Sequence, residues 1–108
     1  MPNNLSTLTL SCIGAGRLGK TLCRLFSDTV SIGQIINSST ASAQLAADFI
    51  GAGQGQGDYA ELKPADIWLI ATPDDSIQQA SEALENTGVL REGDTVFHCS
   101  GSLSAGVL

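Results

Sequence analysis

The spacing of apolar residues changes several times along the chain, and each change marks an element. Leu8–Ile13 (LTLSCI) is a short apolar-rich run that breaks at Gly14, which predicts a strand. From Arg17 to Ser27 the period lengthens. Leu18, Leu22, Leu25 and Phe26 fall at i, i+4, i+7 and i+8, predicting a helix that buries this stripe. Ile32, Ile35 and Ile36 mark a second strand ending at Asn37-Ser38-Ser39. Ser and Thr at 38–40 suit a helix cap, and Ala43, Ala46, Ala47 and Ile50 share one face of the helix that follows. The glycine-rich stretch Gly51–Gly57 (GAGQGQG) is costly to order, so it is expected as a loop before a short third strand near Asp58–Tyr59.

Ile67–Ala71 (IWLIA) is continuously apolar, as in a strand covered on both faces, with Trp68 in the core. Thr72-Pro73-Asp74-Asp75 breaks it. Asp75 and Gln78 have the spacing of a capping box, and Ile77, Ala80 and Leu84 supply the next buried stripe. Arg91–Asp94 is a turn, and Thr95–Cys99 (TVFHC) is a fifth strand with Phe97 expected inside. Ser100–Leu108 turns and then starts a helix, while Met1–Thr7 is a polar leader. Strand and helix alternate throughout. That pattern predicts an α/β fold with a doubly wound parallel sheet of about five strands, in the order 3-2-1-4-5. The 108 residues suffice for one domain.

Charge narrows the function. Eleven acidic residues oppose five basic ones, for a net charge of −6. Arg17, Lys20, Arg24, Lys63 and Arg91 are scattered, which argues against a nucleic-acid surface built from clustered cations. No apolar run approaches a membrane span and no basic leader precedes the first strand, so a cytoplasmic protein with no membrane partner is expected. Cys12, Cys23 and Cys99 lack CxxC spacing, so they predict neither a metal site nor a disulfide framework.

Gly14-Ala15-Gly16-Arg17-Leu18-Gly19 carries the chemistry. It is a GxGxxG that follows a strand and opens a helix. In that setting Gly14 permits the tight turn, Gly16 lets backbone approach a pyrophosphate, and Gly19 lets the helix pack on the sheet. The helix start then offers free N–H groups and a positive dipole end to an anion. Gly14 to Gly19-Lys20-Thr21 also satisfies the GxxxxGK[ST] pattern of a P-loop. However, no acidic residue directly ends the Ile67–Ala71 strand to hold magnesium, and the mid-loop Gly16 fits a dinucleotide better. A dinucleotide site would place the end of the second strand at the adenosine ribose. Asn37-Ser38-Ser39-Thr40 holds no carboxylate there to bind a 2′-hydroxyl, which favours NADP, with NAD as the alternative.

GAGRLG, the NSST strand end, ADIWLIATPDD and VFHCSGSLSAGVL together resemble the N-terminal Rossmann-like domain of NADP-dependent oxidoreductases. Pyrroline-5-carboxylate reductase, ketopantoate reductase and the deazaflavin-linked NADP reductases are such proteins. The resemblance runs from Leu8 onward. It implies a dinucleotide-binding domain over 1–108 that transfers hydride between nicotinamide and an unidentified small substrate. It implies that Ala71, Thr72 and Pro73 line the ribose and nicotinamide, and that Ser100 and Gly101 lie beneath the nicotinamide or substrate. Gly14, Ala15, Gly16, Arg17, Leu18, Asn37, Ser38 and Ser39 complete the expected cofactor contacts. Ser38 stands where these families often carry Arg, and their C-terminal helical domain for substrate and dimerisation is absent from these residues. A noncatalytic nucleotide-binding or redox-sensing module is the alternative.

No catalytic acid or base stands out. His98 is the lone histidine, but as a strand residue it is expected to be structural first. Asp74 and Asp75 are explained by helix capping, and Cys99 cannot pair with its strand neighbour His98 because adjacent side chains face opposite sides. A fifth strand at the sheet edge, with apolar Val96 and Phe97, invites a second copy, so a homodimer is expected.

Overall fold

The computed structural model describes residues 8–72 and 76–98. Five strands, β1 (Thr9–Ile13), β2 (Ser31–Ile36), β3 (Gln54–Gln56), β4 (Ile67–Ile70) and β5 (Thr95–His98), alternate with helices α1 (Arg17–Phe26), α2 (Thr40–Ile50) and α3 (Ile77–Asn86). The sheet is parallel throughout, as the alternating sequence pattern leads one to expect, and its order is the expected β3-β2-β1-β4-β5. Among the described residues no helix is long and apolar enough to cross a membrane.

Alternation within the central strands splits the core into two layers. Leu10, Cys12, Ile35 and Leu69 meet Cys23 of α1 and Ala43, Ala46, Ala47 and Ile50 of α2. Ile13, Ile36, Trp68 and Ile70 meet Ala80 and Leu84 of α3, with Tyr59 and Leu62 packed alongside. β4 is therefore covered on both faces over Trp68–Ile70, as its continuous apolar run implies. At the far end of the strands, Asp66 joins three elements. Its carboxylate accepts from Thr9 N (2.9 Å), its carbonyl accepts from Thr95 N (3.0 Å), and Arg91 bridges it at 3.3 Å.

Three sequence expectations need correction. The third strand is not near Asp58–Tyr59 but inside the glycine stretch, at Gln54–Gln56. A Cβ on Gly55 would lie 2.6 Å from the Ala43 carbonyl carbon, so only glycine lets β3 pass this close to the start of α2. Asp58 instead caps a single 3-10 turn, Tyr59–Glu61, by accepting from Ala60 N. The buried stripe of α1 is Gly19 and Cys23, not the leucine stripe; Leu25 is 67% exposed and Phe26 46%. Small residues let the helix axis sit close to the sheet, which moves the larger side chains to its flanks. Phe97 is 54% exposed, because β5 is an edge strand whose α1-side face has no covering element among the described residues. The expected Asp75 cap and the Ser100–Leu108 segment lie outside the described residues, whereas Ser39 does cap α2, accepting from Ser42 N at 3.1 Å.

The placement of β3 predicts that Gly55→Ala destabilises the fold by about 1–3 kcal/mol, the usual cost of overpacking. Urea unfolding measures this, and an unchanged midpoint would contradict the close contact with α2.

Candidate functional site

The carboxyl ends of β1, β2 and β4 open into a cavity of about 600 Å³. Parallel α/β sheets bind ligands at such strand ends, and this volume is in the range of small-molecule sites. Gly14, Ala15, Gly16, Arg17 and Leu18 form one wall, Asn37, Ser38 and Ser42 a second, and Ala71 and Thr72 a third. Nine residues singled out in the sequence are thus brought together from three chain segments. Ser39 sits next to this group but spends its hydroxyl on the α2 cap. Pro73, Ser100 and Gly101 lie outside the described residues, as do Asp74, Asp75 and Cys99.

The three glycines of the loop do different work. Gly14 has φ +80°, and a Cβ there would also press on Thr72 N at 2.9 Å. Gly19 brings α1 against β1 and β4, since its Cβ would lie 3.0 Å from Ala71 Cβ and 3.3 Å from Cys12 Sγ. Both are therefore demanded by the fold. Gly16 is not. It has φ −78°, and a Cβ would meet nothing within 4 Å. Its missing side chain is not demanded by packing, and Gly16 lines the cavity.

Electrostatics make this wall receptive to anions. Gly16 N donates to Gly14 O (2.8 Å) and Ala15 N to Asn37 Oδ1 (2.6 Å), which uses up the loop's own donors. Among the described residues no side chain caps α1, so its first-turn N–H groups lack partners within the helix, and Arg17 and Leu18 of that turn line the cavity. No carboxylate lines the cavity among the described residues, and Arg17 is its cation. The P-loop alternative fails at the side chains. Lys20 Nζ rests 4.7 Å from the centroid of the Phe49 ring, and Thr21 Oγ1 donates to Arg17 O at 2.7 Å. Neither reaches the loop's concave side.

Tyr59, Ser42 and Ser76 also line the cavity and were missed by sequence reasoning. The sequence places Tyr59 near a strand; the 3-10 turn instead packs it against the Ile36 and Trp68 layer, where burial raises its hydroxyl above the ordinary tyrosine range. Ser42 could have been found from its position one turn into a helix capped by Ser39. His98 stands elsewhere: its Nε2 lies 3.0 Å from Ser81 Oγ on α3. It links β5 to α3 and lines a separate apolar cavity with Leu22, Phe26 and Phe97. Among the described residues no group of three potential ligand side chains could hold a metal.

An open parallel sheet with a glycine loop feeding an uncapped helix at its switch point defines a nucleotide-type α/β domain. The chain belongs to the Rossmann-like domain family, whose model matches residues 3–108. A search of curated proteins finds no match. Among solved structures, a Bacteroides fragilis protein assigned as an NADP oxidoreductase superposes with a TM-score of 0.77 at 23% identity, over 95% of this chain and 39% of its own. Synechocystis arogenate dehydrogenase gives 0.74 at 19% identity, over 93% of this chain and 35% of its own. Prephenate dehydrogenase from A. aeolicus, in complex with hydroxyphenyl propionate and NAD+, gives 0.71 at 19% identity, over 87% and 34%. These likenesses establish the shared fold. The chain spans between a third and two fifths of each of these structures.

The glycine geometry predicts that Gly14→Ala costs about 1–3 kcal/mol, through positive φ and collision with Thr72, whereas Gly16→Ala changes stability by less than about 0.5 kcal/mol. Parallel urea titrations test the contrast. Equal losses would show that Gly16 also serves the fold.

Proposed function

We propose that this chain binds a dinucleotide, NADP in preference to NAD, with the diphosphate on the first turn of α1. The observation that carries this reading is Gly16, whose absent side chain serves no packing need and opens onto an anion-receptive cavity. The residues present fit such a group. The N–H groups of Arg17 and Leu18 suit a diphosphate, Ser38 and Ser42 suit a phosphorylated ribose, and neutral Tyr59 gives an adenine an aromatic wall. NADP is preferred because the end of β2 carries amide and hydroxyl groups with no carboxylate to repel a 2′-phosphate.

The whole protein's activity follows as the second part of the proposal: an oxidoreductase acting on a small substrate, for which this domain holds the cofactor. A bound nicotinamide supplies or accepts the hydride, while the protein fixes its position and excludes competing reactions. Arg17 and Tyr59 are the titratable groups on the cavity wall among the described residues, and neither is an obvious proton donor at the Thr72 end. Residues 1–108 alone are therefore expected to bind without turnover, which keeps a noncatalytic binding or sensing module as the second reading. A cytoplasmic location accords with these roles.

Calorimetric titration with NADP and NAD tests the first part. Gly16→Val should keep the fold and weaken both ligands at least about tenfold, the effect of losing roughly 1.4 kcal/mol. Undiminished affinity in a folded variant would remove the diphosphate from this loop.

Ser38→Asp should shift preference toward NAD by placing charge beside the 2′-phosphate. Tighter NAD binding by the unaltered protein would reverse the assignment of cofactor.

The edge strand β5 and exposed Leu25, Phe26, Val96 and Phe97 support pairing of two copies, for which about 800 Å² per partner is an ordinary interface. Sedimentation should show dimers, and NADPH oxidation with imines, keto acids or flavin should stay at background. A monomer at high concentration, or robust turnover, would refute the corresponding half.

A further inference from the structure

Asn37 follows the last residue of β2, where a dinucleotide domain ordinarily reads the ribose. Its carboxamide is instead engaged by the protein itself. Oδ1 accepts from Ala15 N at 2.6 Å, and Nδ2 donates to Ala15 O at 3.4 Å and to Ser42 Oγ at 3.0 Å. The orientation of the amide is fixed by its partners, since a peptide N–H must face an oxygen. Both N–H donors are then spent, along with one acceptor position. Ser42 in turn donates its backbone N–H to Ser39 Oγ at 3.1 Å. A continuous chain of bonds therefore runs from the middle of the glycine loop, through one carboxamide, to the cap of α2.

We propose that Asn37 is a positioning residue: it holds the Gly14–Gly16 loop in the shape that receives a diphosphate, and it does not itself touch the dinucleotide. This rests on the dinucleotide reading above. Two adjacent points of β2 anchor the loop, because Gly14 N also donates to Ile36 O at 2.7 Å. With Ala15 N satisfied by Asn37, the donors left for an anion are those of the α1 first turn. Recognition at the ribose 2′ position passes to Ser38 and Arg17, which line the cavity on either side. Ala15 is 3% exposed, so removing the carboxamide leaves a buried N–H without an acceptor and frees the loop to move.

The test titrates the unaltered protein, Asn37→Ala and Asn37→Asp with ADP, adenosine 2′-monophosphate, NAD and NADP, and follows amide exchange at Ala15 by NMR. ADP carries a diphosphate and no 2′-phosphate; adenosine 2′-monophosphate is the converse. Asn37→Ala should weaken ADP, NAD and NADP about tenfold, leave adenosine 2′-monophosphate within about twofold, and accelerate Ala15 exchange. Asn37→Asp keeps an acceptor for Ala15 N and should restore ADP and NAD to within about threefold and slow Ala15 exchange again. If Asn37→Ala does not fold, Asn37→Ser, which also lacks the carboxamide, takes its place with the same expected losses. Equal weakening of adenosine 2′-monophosphate and ADP in that variant would mean direct contact and overturn the proposal, as would unchanged ADP affinity in it. If the unaltered protein binds neither NAD nor NADP, the parent reading fails with it. If it binds and only the Asn37 effects are missing, the parent reading stands and this one falls.

Discussion

The close approach of α1 to the sheet at Gly19 sets the geometry of the rest of the molecule. With Ala71 Cβ 3.0 Å and Cys12 Sγ 3.3 Å from where a side chain would begin, the helix lies directly over β1 and β4. That contact requires a tight exit from β1, hence the positive φ of Gly14, whose N–H is held by Ile36 O. It also directs the helix start at the gap between β1 and β4, where strand order reverses and a cavity must open. A larger residue at position 19 would lift the helix and close neither side well. Site and core thus share one constraint at Gly14 and Gly19, whereas Gly16 belongs to the site alone.

The same contact explains what is left uncovered. Because Gly19 and Cys23 make the seam, Leu22 and Phe26 are displaced to the flank facing β5. There they join Val30, Leu69 and Phe97 around an apolar cavity of about 400 Å³. Helices α1 and α2 cover β1 to β4 on this face, while α3 covers the opposite face. The structural relatives carry more than twice this length of chain, and an apolar face at the sheet edge is a natural place for further protein to dock.

Elements governed by local pattern were legible in the sequence. β1, β4 and the alanine face of α2 follow from period and length alone, the expected strand order holds, and GAGRLG announced both turn and helix. Legibility failed where tertiary contact overrides local preference. Gly55 reads as a loop residue until α2 is seen to occupy its side-chain space. The leucines of α1 read as core until the glycine seam displaces them. At the site, nine lining residues were found by motif, but Tyr59 was not, because its position depends on a 3-10 turn far from the motif in sequence, whereas Ser42 was readable from the Ser39 cap. The role of Asn37 was hidden for the same reason: its partner Ala15 is 22 residues distant.

An acidic chain with an anion-receptive cavity is not a contradiction, because the potential that matters is local. Of the five cations, Arg91 is committed to Asp66 and Asp94 at 3.3 and 3.2 Å, and Lys20 and Arg24 sit over Phe49. At Asp94, desolvation opposes the charge, yet hydrogen bonds from Arg91 win and hold its carboxyl below the usual range. That turn is thereby stabilised above the ordinary carboxylate pKa, and the contribution fades as pH falls through the lowered value. Arg17 alone faces the cavity, beside N–H groups carrying the positive end of the α1 dipole and with no carboxylate on the wall among the described residues. Such short-range donors act within hydrogen-bond distance, whereas exposed acids more than about 10 Å away are largely screened at physiological salt. The net charge of −6 therefore disfavours long polyanions, for which many surface charges sum, and leaves a compact phosphate ligand free to bind at one well-placed helix end.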